Sequence, residues 1–191
     1  MSRKVHYLQI KEQDREAYNL LLNCRHVTQE QLRTYSSTNR INSYLKEKLI
    51  EKIDIADLRV YRLTQKGYKE FEKTLGRENC RYHSNSILHD IKLAERYIQV
   101  HERYEDARWK NEEDLKREKN QLLEQLREER DFERIERIEK VSVPDCSYSS
   151  SLEGQDICYE VVTDNYSNID IQAKIDYCRE FNTSISFDRI R

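Results

Sequence analysis

Polar side chains of the types that read DNA bases cluster between residues 37 and 46. Asn39, Arg40 and Asn42 are suited to paired hydrogen bonds with base edges in the major groove. The candidate DNA-contacting residues in this stretch are Ser37, Thr38, Asn39, Arg40, Asn42, Ser43 and Lys46. Further along the chain, Arg59 and Lys66 can reach neighbouring phosphates. These residue types together predict contact with double-stranded DNA.

The surrounding elements must present these side chains on one helix. Thr28 and Gln31 form a capping box for a short helix that ends near Tyr35. A polar turn at 36–38 then begins a second helix, predicted over 39–49. The apolar stripe of this second helix consists of Ile41, Tyr44, Leu45 and Leu49. Burial of that stripe leaves the polar residues on the opposite side of the helix.

Two alternating runs follow, over 50–55 and 58–63, and they predict a hairpin. Thr64 then caps a helix over 65–75. Helix, turn, helix, ribbon, helix is the order of a winged helix-turn-helix. The phrase Arg-Leu-Thr-Gln-Lys-Gly-Tyr at 62–68 resembles the winged-helix modules of bacterial regulators. The alternative interpretation is the same fold used for protein contacts.

Charge is distributed unevenly along the 191 residues, whose formal net charge is −2. Residues 1–76 carry 15 basic and 10 acidic side chains, whereas residues 141–191 carry 4 and 9. The basic N-terminal region and the acidic C-terminal region predict a DNA-binding domain over 1–76 and a second domain with a different role over 77–191.

Several classes of protein are disfavoured by composition. The cysteines are far apart and lack zinc-site spacing; they are Cys24, Cys80, Cys146, Cys158 and Cys178. Three scattered glycines exclude a glycine-rich phosphate loop. No run approaches the length of a membrane span, and residues 1–16 lack the apolar core of a signal peptide. We therefore expect a cytoplasmic protein with reduced thiols, no membrane partner and no bound metal or other cofactor.

The remaining chain predicts a small α/β domain interrupted by charged helix. A first helix over 14–23 completes the N-terminal domain, and a longer helix over 87–104 opens the second. A short strand is expected near Trp109, and a charged helical segment over about 110–140 follows it. Its expected i,i+4 ion pairs are Glu113–Arg117, Glu133–Arg137 and Glu136–Lys140. The last third predicts a strand entry at 141–145, a polar turn at 147–154, a strand at 156–163, a helix at 168–181 and a strand at 184–190.

The whole chain resembles the replication-relaxation family of plasmids and phages of Gram-positive bacteria. The resemblance rests on short motifs placed in order behind the winged helix. These are His89-Asp90, Arg108-Trp109 with Glu112, Pro144-Asp145, the run Glu160 to Asp164, and a helix with Lys174 and Tyr177. It implies a C-terminal domain similar to the restriction-endonuclease-like fold, and a role in mobile-element DNA maintenance or transfer.

Active members of that fold cut DNA with acidic residues on two strands, a nearby lysine and Mg²⁺. The resemblance places Asp145 and Glu160 at the acidic positions and Lys174 on the following helix, with Asp164 as a further carboxylate. Val162 occupies the position where the lysine is expected. We therefore expect a nuclease-like fold that no longer cleaves, with Mg²⁺ required only if cleavage survives.

Three hypotheses follow from the sequence. The first is a sequence-specific duplex-DNA binder that acts as a transcriptional regulator or as an accessory factor in replication or transfer. Helix-turn-helix readers often pair on palindromes, so a homodimer is one expected assembly. The second is a metal-dependent nuclease built on Asp145, Glu160 and Lys174. The third is an adaptor whose acidic domain or charged helix binds a relaxase or replication protein.

Overall fold

The computed structural model describes residues 8–76 and 79–190 and has an α+β architecture with two sheets. After a 3-10 turn at Glu12–Asp14, the elements up to residue 76 are α1 (Arg15–Cys24), β1 (Val27–Thr28), α2 (Gln29–Tyr35), α3 (Thr38–Lys46), β2 (Ile50–Ile55), β3 (Leu58–Leu63) and α4 (Gln65–Leu75). Those that follow are α5 (Ile87–Arg103), β4 (Arg108–Asn111), α6 (Glu112–Glu129), α7 (Phe132–Lys140), β5 (Cys146–Ser149), β6 (Ile157–Val162), α8 (Asn168–Glu180) and β7 (Ser184–Arg189).

Helices α2, α3 and α4 each begin at a capping side chain that the sequence predicts. Thr28 and Gln31 form the expected capping box at α2, and the Ser37 hydroxyl accepts a hydrogen bond from the backbone N–H of Arg40 at α3. The Thr64 hydroxyl accepts from the backbone N–H of Gly67 at 2.9 Å and so caps α4. These hydroxyls satisfy amide groups that have no partner within the helix.

The first sheet is antiparallel, with strand order β1-β3-β2. Both hairpin strands have the predicted bounds, but α3 ends at Lys46, three residues before the predicted end at Leu49. Lys48 adopts a positive φ of 57°, which turns the chain out of the helix and into β2. Leu49 is still buried, but it is buried in the turn and not on the helix stripe.

Gly67 allows α4 to lie directly against the start of the hairpin. A Cβ atom placed on Gly67 would stand 1.7 Å from the carbonyl oxygen of Leu49. No side chain fits at that distance, so the glycine determines how closely the helix and the backbone approach each other.

The second sheet has strand order β4-β5-β6-β7, with the first two pairings antiparallel and the β6–β7 pairing parallel. The prediction of a polar turn from residue 147 is wrong at its start, because Cys146–Ser149 form strand β5. Ser147 and Tyr148 are both buried, so the two faces of this strand are covered. A strand that is buried on both faces does not show the polar–apolar alternation that reveals a half-exposed one.

The charged segment forms a helical hairpin. Arg130 adopts a left-handed conformation that ends α6, and Asp131 caps α7. Leu123, Leu126 and Ile138 pack together between the two helices. This apolar seam explains how a segment so rich in charge is held in place.

Two of the three expected ion pairs are present in this hairpin. Glu133–Arg137 and Glu136–Lys140 lie at 2.9 and 2.7 Å. The Glu113–Arg117 prediction is wrong, because Arg117 binds Asp114 at 3.3 Å.

One apolar cluster runs from α1 and the first sheet to α5 and the second sheet. α1 packs directly on α5. Buried rings of Trp109 and Tyr148 belong to the same cluster as Tyr18 and Phe71. Within the described residues, every helix is too short or too polar to cross a membrane.

Candidate functional site

Helix α3 presents a polar face to solvent and an apolar face to the core. Ile41 and Tyr44 are 1% and 0% exposed, so they anchor the helix. The exposed residues at its start and along its outer face are Ser37, Thr38, Asn39, Asn42 and Lys46. Five of the seven predicted DNA-contacting residues of this stretch are therefore accessible to solvent.

Arg40 is placed differently from these neighbours. Its Nε donates to Asp14 Oδ1 at 2.8 Å, and one terminal nitrogen donates to the carbonyl oxygen of Gln9 at 2.6 Å. The Tyr44 hydroxyl also donates to Asp14 Oδ1, at 2.6 Å. Burial acts to raise the pKa of Asp14, but the hydrogen bonds from Arg40 and Tyr44 outweigh it and lower the pKa. Arg40 thus ties α3 to the start of α1, and the prediction that it contacts a base stays a prediction.

The other candidates are also placed by local contacts. Ser43 is half-buried, and its hydroxyl donates to the carbonyl oxygen of Asn39 at 2.9 Å. Lys66 donates to the carbonyl oxygen of Glu47 at 2.7 Å, next to the end of α3. Arg59 is exposed on the hairpin and pairs with Asp54 at 2.9 Å. All of these contacts lie at the surface.

A second constellation lies at the junction of β5, β6 and α8. The Lys174 ammonium group is 2.9 Å from Glu160 Oε1 and donates to the carbonyl oxygen of Val143 at 2.6 Å. The backbone N–H of Asp145 donates to Glu160 Oε2 at 2.9 Å. The three residues proposed from sequence therefore meet in space.

His89 joins this centre from α5. Its Nε2 is 2.9 Å from Asp145 Oδ2, which also accepts from the backbone N–H of Val161 at 2.7 Å. The Tyr166 hydroxyl donates to Glu160 Oε1 at 2.6 Å. Sequence reasoning noted His89 only within a motif, and no signal pointed to Tyr166. We refer to Asp145, Glu160, Lys174, His89 and Tyr166 as the acidic centre.

The acidic centre is closed to solvent. Glu160 is 0% exposed, Asp145 5% and Lys174 7%. Burial and the Asp145 charge raise the pKa of Glu160 to about 7, although Lys174 acts in the opposite direction. Burial acts to lower the pKa of His89, but its hydrogen bonds to Asp145 and Asp90 prevail and raise the pKa to about 10. The imidazole beside Asp145 is therefore protonated at neutral pH.

These residues do not fit a Mg²⁺ site. The described residues contain no group of three or more His, Cys, Asp or Glu side chains arranged to hold a metal ion. Both oxygens of Glu160 are already engaged by Lys174, Tyr166 and the backbone of Asp145. Asp164 lies exposed after β6, and the buried Val162 occupies the expected lysine position. The arrangement is that of an internally satisfied polar network.

No protein-family model, curated protein or solved structure matches the chain. The resemblance to the replication-relaxation family therefore stays a prediction.

Proposed function

We propose that the protein binds double-stranded DNA sequence-specifically, with α3 in the major groove. The observation that carries this proposal is the exposed polar face of α3, where Asn39, Asn42 and Lys46 stand opposite the buried Ile41 and Tyr44. Amide side chains of this kind form paired hydrogen bonds with adenine. A buried apolar face holds the helix in one orientation, which base reading requires.

The neighbouring elements support a winged helix-turn-helix. α2 and α3 are joined by a short turn, and the β2–β3 hairpin that follows pairs with β1 in the order β1-β3-β2. In such an arrangement the second helix enters the major groove and the hairpin lies over the adjacent backbone. Lys52 and Arg59 are exposed on this hairpin, where they can meet phosphates.

The charge of the same surface supports binding to a polyanion. Residues 37–66 carry 7 basic and 4 acidic side chains. Alongside α3, a recess of about 350 Å³ has three basic lining residues, Lys11, Arg40 and Lys46, and one acidic lining residue, Glu47. Phosphate contacts of this kind position a protein on the duplex and make its affinity depend on salt.

The test is fluorescence anisotropy with duplex DNA from the region upstream of the protein's own gene, titrated with salt. We expect tighter binding to one fragment and a steep loss of affinity with salt. Asn42→Ala should weaken binding to that fragment by about 1–3 kcal/mol and relax its specificity. Asn85→Ala, at an exposed position before α5, is the matched control and should bind as the wild type does.

Lys46→Ala tests the phosphate contribution separately. It should weaken binding to all fragments alike and reduce the salt slope by about 1. Lys73→Ala, exposed on α4, is its control. Absence of binding at low salt, or equal affinity of the wild type and Asn42→Ala, contradicts the proposal.

The biological role that we propose is regulation, or an accessory function in replication or transfer, for a plasmid or phage. Inverted repeats in the preferred fragment would support a homodimer that reads two half-sites. Sedimentation of the protein–DNA complex would then give two copies of the chain per repeat, whereas one copy contradicts the dimer.

Nuclease activity is a second candidate, because the Lys174 ammonium group and the backbone N–H of Asp145 both contact the Glu160 carboxylate. Their burial and full hydrogen bonding oppose it, and we expect no cleavage. Incubation with supercoiled plasmid and Mn²⁺ tests this expectation. Nicking that disappears in Glu160→Ala would overturn it and establish this site as catalytic.

A further inference from the structure

A polar cleft of about 560 Å³ opens between α1, α5 and β4. It lies away from the outer face of α3 and is not part of the acidic centre. Its size falls within the range of small-molecule sites. We refer to it as the aromatic cleft, because four ring side chains line it: Tyr35, Tyr97, His101 and Trp109.

The rings of the aromatic cleft contact one another. Tyr97 and His101 stack with their centroids 4.0 Å apart, and Tyr97 meets Trp109 at 5.0 Å with an interplanar angle of 64°. Tyr35 approaches Tyr97 edge-on at 6.4 Å. Tyr97 and Trp109 are 2% and 6% exposed, so the half-buried Tyr35 and His101 offer a planar ligand most of the accessible ring surface.

Two polar groups that line the cleft, on Tyr35 and Trp109, have no hydrogen-bond partner among the described residues. The indole nitrogen of Trp109 and the hydroxyl of Tyr35 are buried without a hydrogen bond. Asn19 also lines the cleft and is 7% exposed. Buried polar groups are almost always paired, so an unpaired group in a cleft points to a ligand.

These groups define the hydrogen-bonding pattern of that ligand. The indole of Trp109 can only donate, whereas the amide of Asn19 can donate and accept. Burial, and then the charge of Glu16, raise the pKa of Tyr35, so its hydroxyl stays protonated and can also donate. The edge of a nitrogen heterocycle, with ring acceptors beside an amino or carbonyl group, matches this set.

Charge excludes an anionic ligand. The lining contains four carboxylates, of Glu16, Glu105, Asp114 and Glu118, and three basic groups, of Arg108, Lys110 and Arg117. Two of the basic groups are already paired within the protein, Lys110 with Glu118 at 2.9 Å and Arg117 with Asp114 at 3.3 Å. A phosphate would therefore meet more acid than base.

We propose that the aromatic cleft binds an uncharged nitrogen heterocycle of nucleobase size, as a free base or a nucleoside. The ring packs against Tyr97, His101 and Trp109. Its polar edge meets Asn19, Tyr35 and the indole N–H. This site is independent of the α3 face, so either assignment can fail without the other.

The experiment uses the full chain and its only tryptophan, Trp109, as the reporter. Tryptophan emission is followed while adenine, adenosine, adenosine 5′-monophosphate, and then guanosine, cytidine and uridine are each added to about 1 mM. We expect a saturable change with at least one base or nucleoside, and weaker binding of the monophosphate than of adenosine. Tighter binding of adenine than of adenosine would identify the free base as the ligand form.

Variants locate the site. Tyr35→Phe removes only a hydroxyl, and Asn19→Ala removes an amide; each should weaken binding about tenfold. Tyr159→Phe, which removes a buried hydroxyl on β6 outside the cleft, should bind as the wild type does. Thermal melts of each variant show that it is folded, and Tyr35→Phe alone decides the matter if Asn19→Ala does not fold.

Three results would overturn the proposal. The first is no saturable change with any base or nucleoside. The second is unchanged affinity in Tyr35→Phe. The third is tighter binding of the monophosphate than of adenosine, which would mean an anion site.

Discussion

Replacing Lys174 by methionine tests whether the acidic centre is held together by charge. Lys174 is 7% exposed, and its ammonium group lies 2.9 Å from Glu160 Oε1. Methionine fills a similar volume without the charge, so the change removes the ion pair and leaves most of the packing. Glu160, at 0% exposure, then loses the cation that lowers its pKa, so its charged form is stabilised less in the folded protein.

The expected loss depends on pH, because Glu160 titrates within the accessible range. Its pKa is raised to about 7, so the carboxylate is charged at pH 8 and protonated at pH 5.5. Breaking a buried pair costs about 3–5 kcal/mol; we take the lower end, about 3 kcal/mol at pH 8, because Tyr166 and the backbone still donate to Glu160. At pH 5.5 only the hydrogen bond to Val143 is lost, which costs about 1 kcal/mol.

Urea denaturation followed by circular dichroism measures both values. With a slope of about 2 kcal/mol per molar urea, the midpoint of Lys174→Met should fall by about 1.5 M at pH 8 and about 0.5 M at pH 5.5. Arg179→Met, on the exposed side of the same helix (71% exposed), is the matched control and should leave the midpoint nearly unchanged. An equal loss at both pH values would refute the charge argument.

Glu160→Gln, alone and combined with Lys174→Met, completes a double-mutant cycle for this ion pair. A carboxyl group whose pKa is raised on folding stabilises the fold below its unfolded pKa, and that stability is lost as the pH rises through the folded value. For Glu160 the loss runs between 4.5 and about 7 and amounts to about 3 kcal/mol. The glutamine variant should lack this slope, and combined with Lys174→Met it should remove the pH dependence of the lysine effect.

Three further predictions concern the rest of the chain. The imidazole of His89, with its pKa raised to about 10, should stay protonated at pH 8 in ¹⁵N spectra of the ring, and its stabilising effect should decline as the pH rises above the ordinary value of 6.5 and be lost above about 10. Gly67→Ala should lower the free energy of unfolding by about 3 kcal/mol in urea titrations, because its methyl group would overlap the carbonyl of Leu49. Arg40→Ala should lower it by about 2 kcal/mol, because Asp14, 1% exposed, loses its main partner while the arginine itself is partly solvated.

Each of these predictions has a contradicting result. Titration of the His89 ring between pH 6 and 8 would mean that its acidic neighbours do not hold the proton. A stability of Gly67→Ala equal to that of Lys69→Ala, an exposed site on the same helix, would contradict the close approach. If Arg40→Ala loses DNA affinity but no stability, the arginine reads DNA and does not tie α3 to α1.

Elements with local signals could be predicted from the sequence. The hairpin strands and α4 have the predicted bounds, because alternation, caps and turns act between residues a few positions apart. Strand β5 could not be predicted in this way, since covering both of its faces removes the alternation. The early end of α3 depends on the positive φ of Lys48, for which lysine offers no signal.

The sequence by itself determined which residue types were available for function, namely a polar helix with Asn39 and Asn42 and the spaced residues Asp145, Glu160 and Lys174. Only the tertiary structure decided which of these residues are exposed, buried or paired. It bound Arg40 to Asp14, brought His89 to Asp145 across 56 positions, and closed the acidic centre to solvent. It also assembled the aromatic cleft from separate helices and a strand. The physical reason is that burial, and the pairing of distant polar groups, depend on how elements pack, whereas periodicity and capping depend only on near neighbours.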